Sequence, residues 1–85
     1  MKYKDIHVDK IRDIPKTGMY HAILPNTEER WYVDGTFHRE DGPAVTYMSW
    51  KYYFLNNCSY TKSEYYKELY KRGLISESDY FIMCL

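Results

Sequence analysis

The sequence lacks an excess of charge of either sign, because its twelve basic residues are matched by twelve acidic ones. A chain without net charge has no long-range positive field, which excludes the general attraction to nucleic acids and acidic membranes that strongly basic proteins show. Any basic surface must therefore be local, and we expect neither DNA nor a membrane as a partner.

Cysteine and long hydrophobic runs are also scarce. Cys58 and Cys84 have neither the density of a disulfide-stapled module nor a C-x-x-C spacing, so we interpret them as free thiols in a reducing compartment. The N-terminus has no signal-peptide stretch, and the run YFIMCL is too short to span a bilayer. These absences predict a soluble cytoplasmic protein.

The usual signatures of catalysis and metal binding are missing as well. No glycine-rich phosphate loop is present, and neither cysteine lies in a motif that would activate it as a nucleophile. A metal site would need several histidine and cysteine side chains to converge. The candidate ligands do not have the paired spacing typical of zinc ligands; they are His7, His21, His38, Cys58 and Cys84. We expect no metal, no cofactor and no enzymatic activity.

Aromatic residues, by contrast, are abundant. They form 19% of the 85 residues, with eleven tyrosines but only three phenylalanines. A chain of this length forms one domain with a small core, here residues 1–85. The core must therefore be built partly from tyrosine and tryptophan, whose rings can also carry contact energy at an interface.

An internal repeat appears when the sequence is shifted by about 22 residues. The shift aligns two aromatics, an aliphatic and two turn-forming residues in the same order, and it aligns Ala22-Ile23 with Ala44-Val45. The matched segments are Trp31, Tyr32, Val33, Asp34 and Gly35 with Tyr53, Phe54, Leu55, Asn56 and Asn57. Residues 20–60 therefore divide into two units, each ending in a β-hairpin.

The hairpin turns are indicated by Asp34-Gly35 and Asn56-Asn57, since both dipeptides tolerate the positive φ of a type I′ turn. Hairpins at about residues 30–38 and 50–60, with a strand between them at 44–48, predict an antiparallel meander of four or five strands. Residues 1–19 form a less legible segment, with strand-like alternation of Ile6 and Val8 before a short helical turn.

The pattern becomes helical after residue 60. Thr61 and Glu64 have capping-box spacing, and an apolar stripe follows over residues 62–72. Gly73 is placed to end this helix, and Ser76 opens a second, shorter helical segment. With residues 61–85 helical, the predicted fold class is α+β, a small sheet packed by one clear helix and a possible second.

The stretch WYVDGTFHREDGPAV resembles a repeat family of bacteria and tailed phages, sometimes grouped with MORN-variant repeats, with the consensus W-x-x-N/D-G-x-x-H-R-x-D-G-P-A. The residues that fit are Trp31, Asp34, Gly35, His38, Arg39, Asp41, Gly42, Pro43 and Ala44. The likeness extends over roughly residues 20–60. In the second unit Cys58-Ser59-Tyr60 replaces the G-x-x-H-R block, which implies a terminal capping unit.

The charged cluster within this stretch has two interpretations. His38 with Glu40 or Asp41 has the composition of a general acid and base, and Arg39 could hold an anion. The structural interpretation is favoured, because Asp41-Gly42-Pro43 is turn chemistry, with Asp41 bonding backbone N–H groups two residues on. We therefore predict a structural turn motif of His38, Arg39, Asp41, Gly42 and Pro43.

The segment WKYYF, residues 50–54, has Lys51 among four aromatic residues, and basic residues interleaved with aromatics suit single-stranded RNA. Alternation along a strand would put Trp50, Tyr52 and Phe54 on one face and Lys51 and Tyr53 on the other, as in any half-buried strand, and this is the favoured interpretation. If RNA is bound, the basic residues concentrate in one group, which we predict as the candidate partner or RNA-binding surface: Lys51, Lys62, Lys67, Lys71 and Arg72.

The resemblance implies an architecture and little about mechanism, whereas the lack of catalytic and metal-binding motifs leads us to expect a binding function. Small tailed-phage proteins of this kind include antagonists of host defence, and the size and tyrosine-rich composition are similar to those of the phage inhibitor of the ToxN ribonuclease. We expect a phage-encoded antagonist that occludes a host-defence toxin or nuclease in the host cytoplasm, with or without RNA in the interface. The alternative is a structural or assembly module that binds another protein through an exposed aromatic face.

Overall fold

The computed structural model of the protein describes residues 2–83 and confirms an α+β fold. The predicted free thiol of Cys84 lies outside the described residues. Short 3₁₀ turns occur at Ile11–Asp13 and Pro25–Thr27, and no helix within residues 2–83 has the length and apolar character needed to cross a membrane. The elements are β1 Lys4–His7, β2 Met19–Ile23, β3 Glu29–Val33, β4 Thr36–Phe37, β5 Val45–Tyr47, β6 Trp50–Leu55, β7 Cys58–Tyr60, α1 Lys62–Lys71 and α2 Glu77–Met83.

The seven strands of residues 2–83 join one sheet, in the order β1-β2-β3-β5-β6-β7, with β4 paired to β3 beyond the end of β5. The sheet therefore has more strands than the four or five predicted. It is also mixed, because β1 runs parallel to β2. The sequence gives little sign of this pairing, since Ile6 is the only apolar residue in β1 and the direction of β1 is set by the crossover through residues 8–18.

The two predicted hairpin turns have the expected backbone. Asp34 and Gly35 have φ of 49° and 79°, and Asn56 and Asn57 have φ of 49° and 68°, which is the type I′ pattern. The flanking strands pair in equivalent registers: Val33 faces Thr36 as Leu55 faces Cys58. The shift of about 22 residues therefore maps one hairpin onto the other, and it also relates Ala22 to Ala44, both fully buried.

Two hydrophobic cores lie on opposite faces of the sheet. Directly opposed residues on paired strands share a face, so the pairings of Tyr52 with Val45, Val45 with Arg30 and Arg30 with Ala22 place Tyr52 on the face of Ala22. Tyr53, its neighbour in β6, projects from the other face. The first core contains Ile14, Ala22, Leu24 and Tyr32, and the second contains Tyr53, Leu55, Tyr65, Tyr66 and Leu69.

Helix α1 covers the second core, and its ends are closed as the sequence predicts. Thr61 Oγ1 accepts the Glu64 N–H at 3.2 Å while Glu64 Oε1 accepts the Thr61 N–H at 3.0 Å, forming the capping box. At the C-terminus Gly73 has φ 73°, and the Leu74 N–H donates to the Leu69 carbonyl at 2.9 Å, as in a Schellman motif. Helix α2 begins at Glu77, directly after the predicted start residue Ser76, whose Oγ accepts the Asp79 N–H at 3.1 Å.

Candidate functional site

The segment between β4 and β5, residues 38–44, forms a loop that we call the motif loop. Both of its ends are bonded to the backbone of Trp31 in β3. The His38 N–H donates to the Trp31 carbonyl at 3.2 Å, and the Trp31 N–H donates to the Ala44 carbonyl at 2.8 Å. The loop therefore leaves and rejoins the same edge of β3, because β4 and β5 pair with consecutive parts of that strand.

His38 is buried at the base of the motif loop, with 4% of its surface exposed. Its Nδ1 accepts the backbone N–H of Asn56 at 3.0 Å, so the proton of the neutral ring lies on Nε2. Nε2 is 2.9 Å from Glu40 Oε2 and donates to it. Both ring nitrogens are thus engaged within the fold, and the ring joins the first hairpin unit to the turn of the second.

Arg39 holds the rest of the loop. Its guanidinium lies 3.9 Å from the centre of the Trp31 ring, and it donates to Asp41 Oδ1 at 2.8 Å and to the Pro43 carbonyl at 3.1 Å. The predicted bond from Asp41 to a backbone N–H two residues on is wrong, since residue 43 is proline and has no N–H. At Gly42 a Cβ would lie 3.1 Å from Arg39 Cζ, so a larger residue there would have to displace the guanidinium slightly.

Two tyrosines that sequence reasoning did not connect with the motif hold it from outside. The Tyr3 hydroxyl donates to the His38 carbonyl at 2.6 Å. The hydroxyl of Tyr65, from α1, donates to the Arg39 carbonyl and accepts the Gly42 N–H at 3.3 Å. Burial, with the carboxylates of Asp41 and Glu40, raises the pKa of Tyr3 to about 12, and burial likewise raises the pKa of Tyr65 well above its usual value. No local sequence signal predicts these contacts, which join residues 26 and 35 positions apart.

The opposite face of the Trp31 ring is covered by His21, because two planar groups this close to one ring cannot share a face. The His21 and Trp31 ring centres are 4.3 Å apart and the planes are inclined by 7°. His21 Nδ1 lies 2.9 Å from Asp5 and Nε2 lies 2.7 Å from Glu29. This stack binds β1, β2 and β3 to the motif loop, so Trp31 also has a structural environment.

These contacts give the motif residues partners within the fold. Within residues 2–83, no three His, Cys, Asp or Glu side chains converge in a metal-binding arrangement. The geometry supports a structural turn motif formed by His38, Arg39, Asp41, Gly42 and Pro43.

The predicted basic group is only partly brought together. Lys67 and Lys71 line a shallow cleft of about 310 Å³ between β7 and α1, and the same cleft is lined by Glu64 and Glu68. Arg72 is paired with Glu68 at 3.0 Å. Lys51, Lys62 and Arg72 do not line this cleft. The lysines are thus interspersed with carboxylates, which reduces the positive potential that a phosphate backbone would meet.

The β5–β6 hairpin carries a different surface, which we call the aromatic surface: Met48, Trp50 and Tyr52. Their exposed fractions are 76%, 62% and 49%. Trp50 lies directly opposite Tyr47, and Tyr52 lies opposite Val45, so the exposed rings continue onto half-buried apolar residues of β5. The structure therefore places the aromatics of residues 50–54 in two environments, since Tyr53 is buried under α1 whereas Trp50 and Tyr52 face outward.

The aromatic surface is also uncharged. Lys51 is the only charged residue between Gly42 and Thr61, in a chain of which 28% is charged. Side chains alternate along a strand, so Lys51 projects from the face opposite Trp50 and Tyr52. Arg30 does share the face of Tyr52, across Val45, but it is paired with Glu28 at 3.0 Å. A single-stranded RNA site combines aromatic side chains with basic groups that meet the phosphates of the same strand, so this surface is a poor match to such a site.

The sequence identified part of this surface. The segment WKYYF includes Trp50 and Tyr52, but its favoured interpretation is a half-buried strand of the core, and the predicted site residues do not include Met48. The sequence does contain a signal for Met48. The two residues between the strands, Met48-Ser49, lack the glycine, asparagine or aspartate that a two-residue hairpin turn favours.

Comparison with protein-family models, curated proteins and solved structures gave no significant match.

Proposed function

We propose that this protein is a non-enzymatic binding domain that contacts a partner protein through the aromatic surface. The observation that carries the proposal is the exposure of Trp50 and Tyr52 beside Met48 on one uncharged hairpin. Tryptophan and tyrosine are over-represented among residues that dominate binding energy, and each ring exposed to this extent offers on the order of 100 Å² for burial. The fold itself does not use these side chains in either core.

The partner we propose is a host-defence toxin or nuclease, occluded by direct contact in the bacterial cytoplasm. This part of the proposal rests on the resemblance of residues 31–45 to phage and bacterial repeat proteins and on the small, tyrosine-rich chain. The second candidate, an assembly module that binds another protein, uses the same aromatic surface and differs only in the identity of the partner.

Direct protein contact is favoured over binding through RNA. Lys51 projects away from the aromatic surface, and Lys67 and Lys71 share their cleft with Glu64 and Glu68. If RNA nevertheless contributes, the basic group Lys51, Lys62, Lys67, Lys71 and Arg72 should carry the ionic part of the affinity, and each lost phosphate contact should flatten the salt dependence by about 0.7–0.9 log units per log unit of salt.

The proposal is tested by affinity capture from bacterial lysate, half of it treated with nuclease. Three immobilised proteins are compared: wild type, the double variant Trp50→Ala/Tyr52→Ala and the double variant Lys67→Glu/Lys71→Glu. We expect a specific protein on the wild type and on the lysine variant with either lysate, and its loss from the aromatic variant. All three should have the same circular dichroism spectrum, because the four substituted residues are exposed.

Retention of the captured protein by Trp50→Ala/Tyr52→Ala would refute the aromatic surface as the binding site. Loss of capture after nuclease treatment, together with loss on Lys67→Glu/Lys71→Glu, would instead identify RNA in the interface. Inhibition of a captured toxin or nuclease in a purified activity assay separates the antagonist from the assembly module.

A further inference from the structure

The turn that joins β5 to β6 has a backbone that its residues do not favour. Met48 has φ 54°, whereas Ser49 does not have a positive φ. A positive φ at the first central residue alone is the type II′ pattern, in which glycine is the usual residue. The other two-residue hairpin turns use Asp34-Gly35 and Asn56-Asn57, which tolerate this region. Met48 therefore introduces strain that the other two turns avoid.

The fold gains little from the Met48 side chain in return. Among residues 2–83 it is the most exposed large hydrophobic residue, at 76%, and it belongs to neither hydrophobic core. Asparagine or glycine would suit the backbone better and would remove an apolar side chain from water. A strained residue with an exposed apolar side chain is best explained by a contact outside the chain, since strain of this kind persists where it serves a function.

Resting on the proposed function, we infer that Met48 is an anchor residue that enters an apolar, uncharged pocket on the partner protein. The tip of a two-residue hairpin is convex, so the complementary surface is concave. The segment from Gly42 to Trp50 carries no charge, so a pocket without charged groups would meet no unpaired charge when water is removed. Methionine adapts its unbranched thioether to irregular cavities, and Trp50 beside it supplies a rigid ring.

The inference predicts opposite effects of one substitution on stability and on binding. Met48→Asn and Met48→Gly should raise the melting temperature by a few degrees, because both residues accept a positive φ. The same variants should weaken binding at least tenfold, measured by calorimetry against the protein captured by wild type and then purified. Met48→Leu, which keeps an apolar side chain, should retain most of the affinity.

Thr27→Asn is the matched control. Thr27 is also an exposed non-glycine residue with positive φ, 64°, but it lies in the β2–β3 turn and outside the aromatic surface. Its replacement removes the bond from the Thr27 hydroxyl to the Asn26 carbonyl, 2.6 Å, while relieving the backbone, so its effect on the melting temperature is smaller than that at Met48, and the dissociation constant should not change.

The possible outcomes distinguish failure of the Met48 inference from failure of the proposed function. A lower melting temperature for both Met48→Asn and Met48→Gly would show that Met48 serves the fold and would overturn the inference. Unchanged affinity in both variants would also overturn it, while the proposed function would stand if Trp50→Ala/Tyr52→Ala abolished binding. Unchanged affinity in Trp50→Ala/Tyr52→Ala would overturn the proposed function and the anchor together.

Discussion

At the scale of single residues, the motif loop is organised by side chains that each satisfy several backbone groups. The Tyr65 hydroxyl both donates and accepts within the loop, and Arg39 stacks on Trp31 while bonding Asp41 and Pro43. Removing one such partner leaves a buried group without a hydrogen bond, which costs more than the bond itself contributed. The loss in the free energy of unfolding should therefore be larger when the hydrogen-bonding groups that lose their partner are more deeply buried.

His38→Ala and Asp41→Ala test this relation within one loop. His38→Ala leaves the Asn56 N–H without its acceptor and opens a space in a buried region, so we expect a loss of about 1–3 kcal/mol. Asp41 has a side chain that is 80% exposed and one bond, to Arg39, so Asp41→Ala should cost less than about 1 kcal/mol. Urea unfolding of both variants measures the difference. A cost for Asp41→Ala equal to that for His38→Ala, or abolished partner binding by either at unchanged stability, would contradict the assignment.

The Tyr3 hydroxyl predicts a loss of stability in alkali. Its pKa is about 12 in the folded protein, above the value of about 10 in an unfolded chain. The folded protein therefore holds this proton more tightly, and the stabilisation is complete below about pH 10 and is lost as the pH rises toward 12. Melting temperatures between pH 9 and 12 should fall less steeply in Tyr3→Phe than in wild type. Tyr52→Phe, at an exposed position, is the control and should follow the wild-type curve.

At the scale of elements, the strands and helices differ in how firmly they are attached. Helix α1 contributes three buried residues to one core, and its first and last turns are closed by side-chain and backbone bonds. Strand β1 is an edge strand in which only Ile6 is half-buried. Its side-chain ties to the sheet include the contact of Asp5 with His21. The helix should therefore be essential to the fold, and β1 should open first.

Leu69→Ala tests the role of α1. Leu69 is fully buried against Tyr53 and Leu55, so its truncation should cost about 2–5 kcal/mol in the free energy of unfolding. Lys67→Ala, on the exposed side of the same helix, should change stability by less than about 0.5 kcal/mol. A chain that ends at Tyr60 and remains folded by circular dichroism and NMR would show that α1 is an appendage.

Native-state hydrogen exchange tests the attachment of β1. Amides of β1 and of Val8, which donates to the Ile23 carbonyl, should exchange faster than those of β3 and β6, because local opening requires little apolar surface to be exposed. Equal protection of β1 and β6 would mean that β1 opens only when the whole domain unfolds.

At the scale of the whole molecule, each face of the sheet is covered over only part of its width. The segment around Ile14 covers one face at β2 and β3, and α1 covers the other face at β6. The aromatic surface lies on the half of the sheet that neither segment covers. Because α1 occupies the face opposite Trp50 and Tyr52, the two rings remain exposed although they belong to a central part of the chain.

The two cores should nevertheless unfold together. Strand β3 contributes Tyr32 to one core, and its Trp31 holds the motif loop that Tyr65 of the other core contacts. Urea unfolding followed by helical circular dichroism and by tryptophan fluorescence should give coincident curves, as expected for a two-state domain of this size. Curves with different midpoints would show that the cores are independent.

The sequence by itself determined the elements whose causes are local. The type I′ turns at Asp34-Gly35 and Asn56-Asn57, the capping box at Thr61 and the end of α1 at Gly73 follow from residue chemistry within four positions, and all are confirmed. The same holds for the register that relates the two hairpins, because it is set by their turns.

Only the tertiary structure decided which faces were covered. Alternation in residues 50–54 places Trp50 and Tyr52 on one face of β6 and Tyr53 on the other, but it does not indicate which face is buried. The packing of α1 against Tyr53 decides that. The parallel pairing of β1 and the hydrogen bonds of Tyr3 and Tyr65 to the motif loop likewise join segments far apart in the chain. Such contacts depend on how the chain closes on itself, and local propensity carries no information about that.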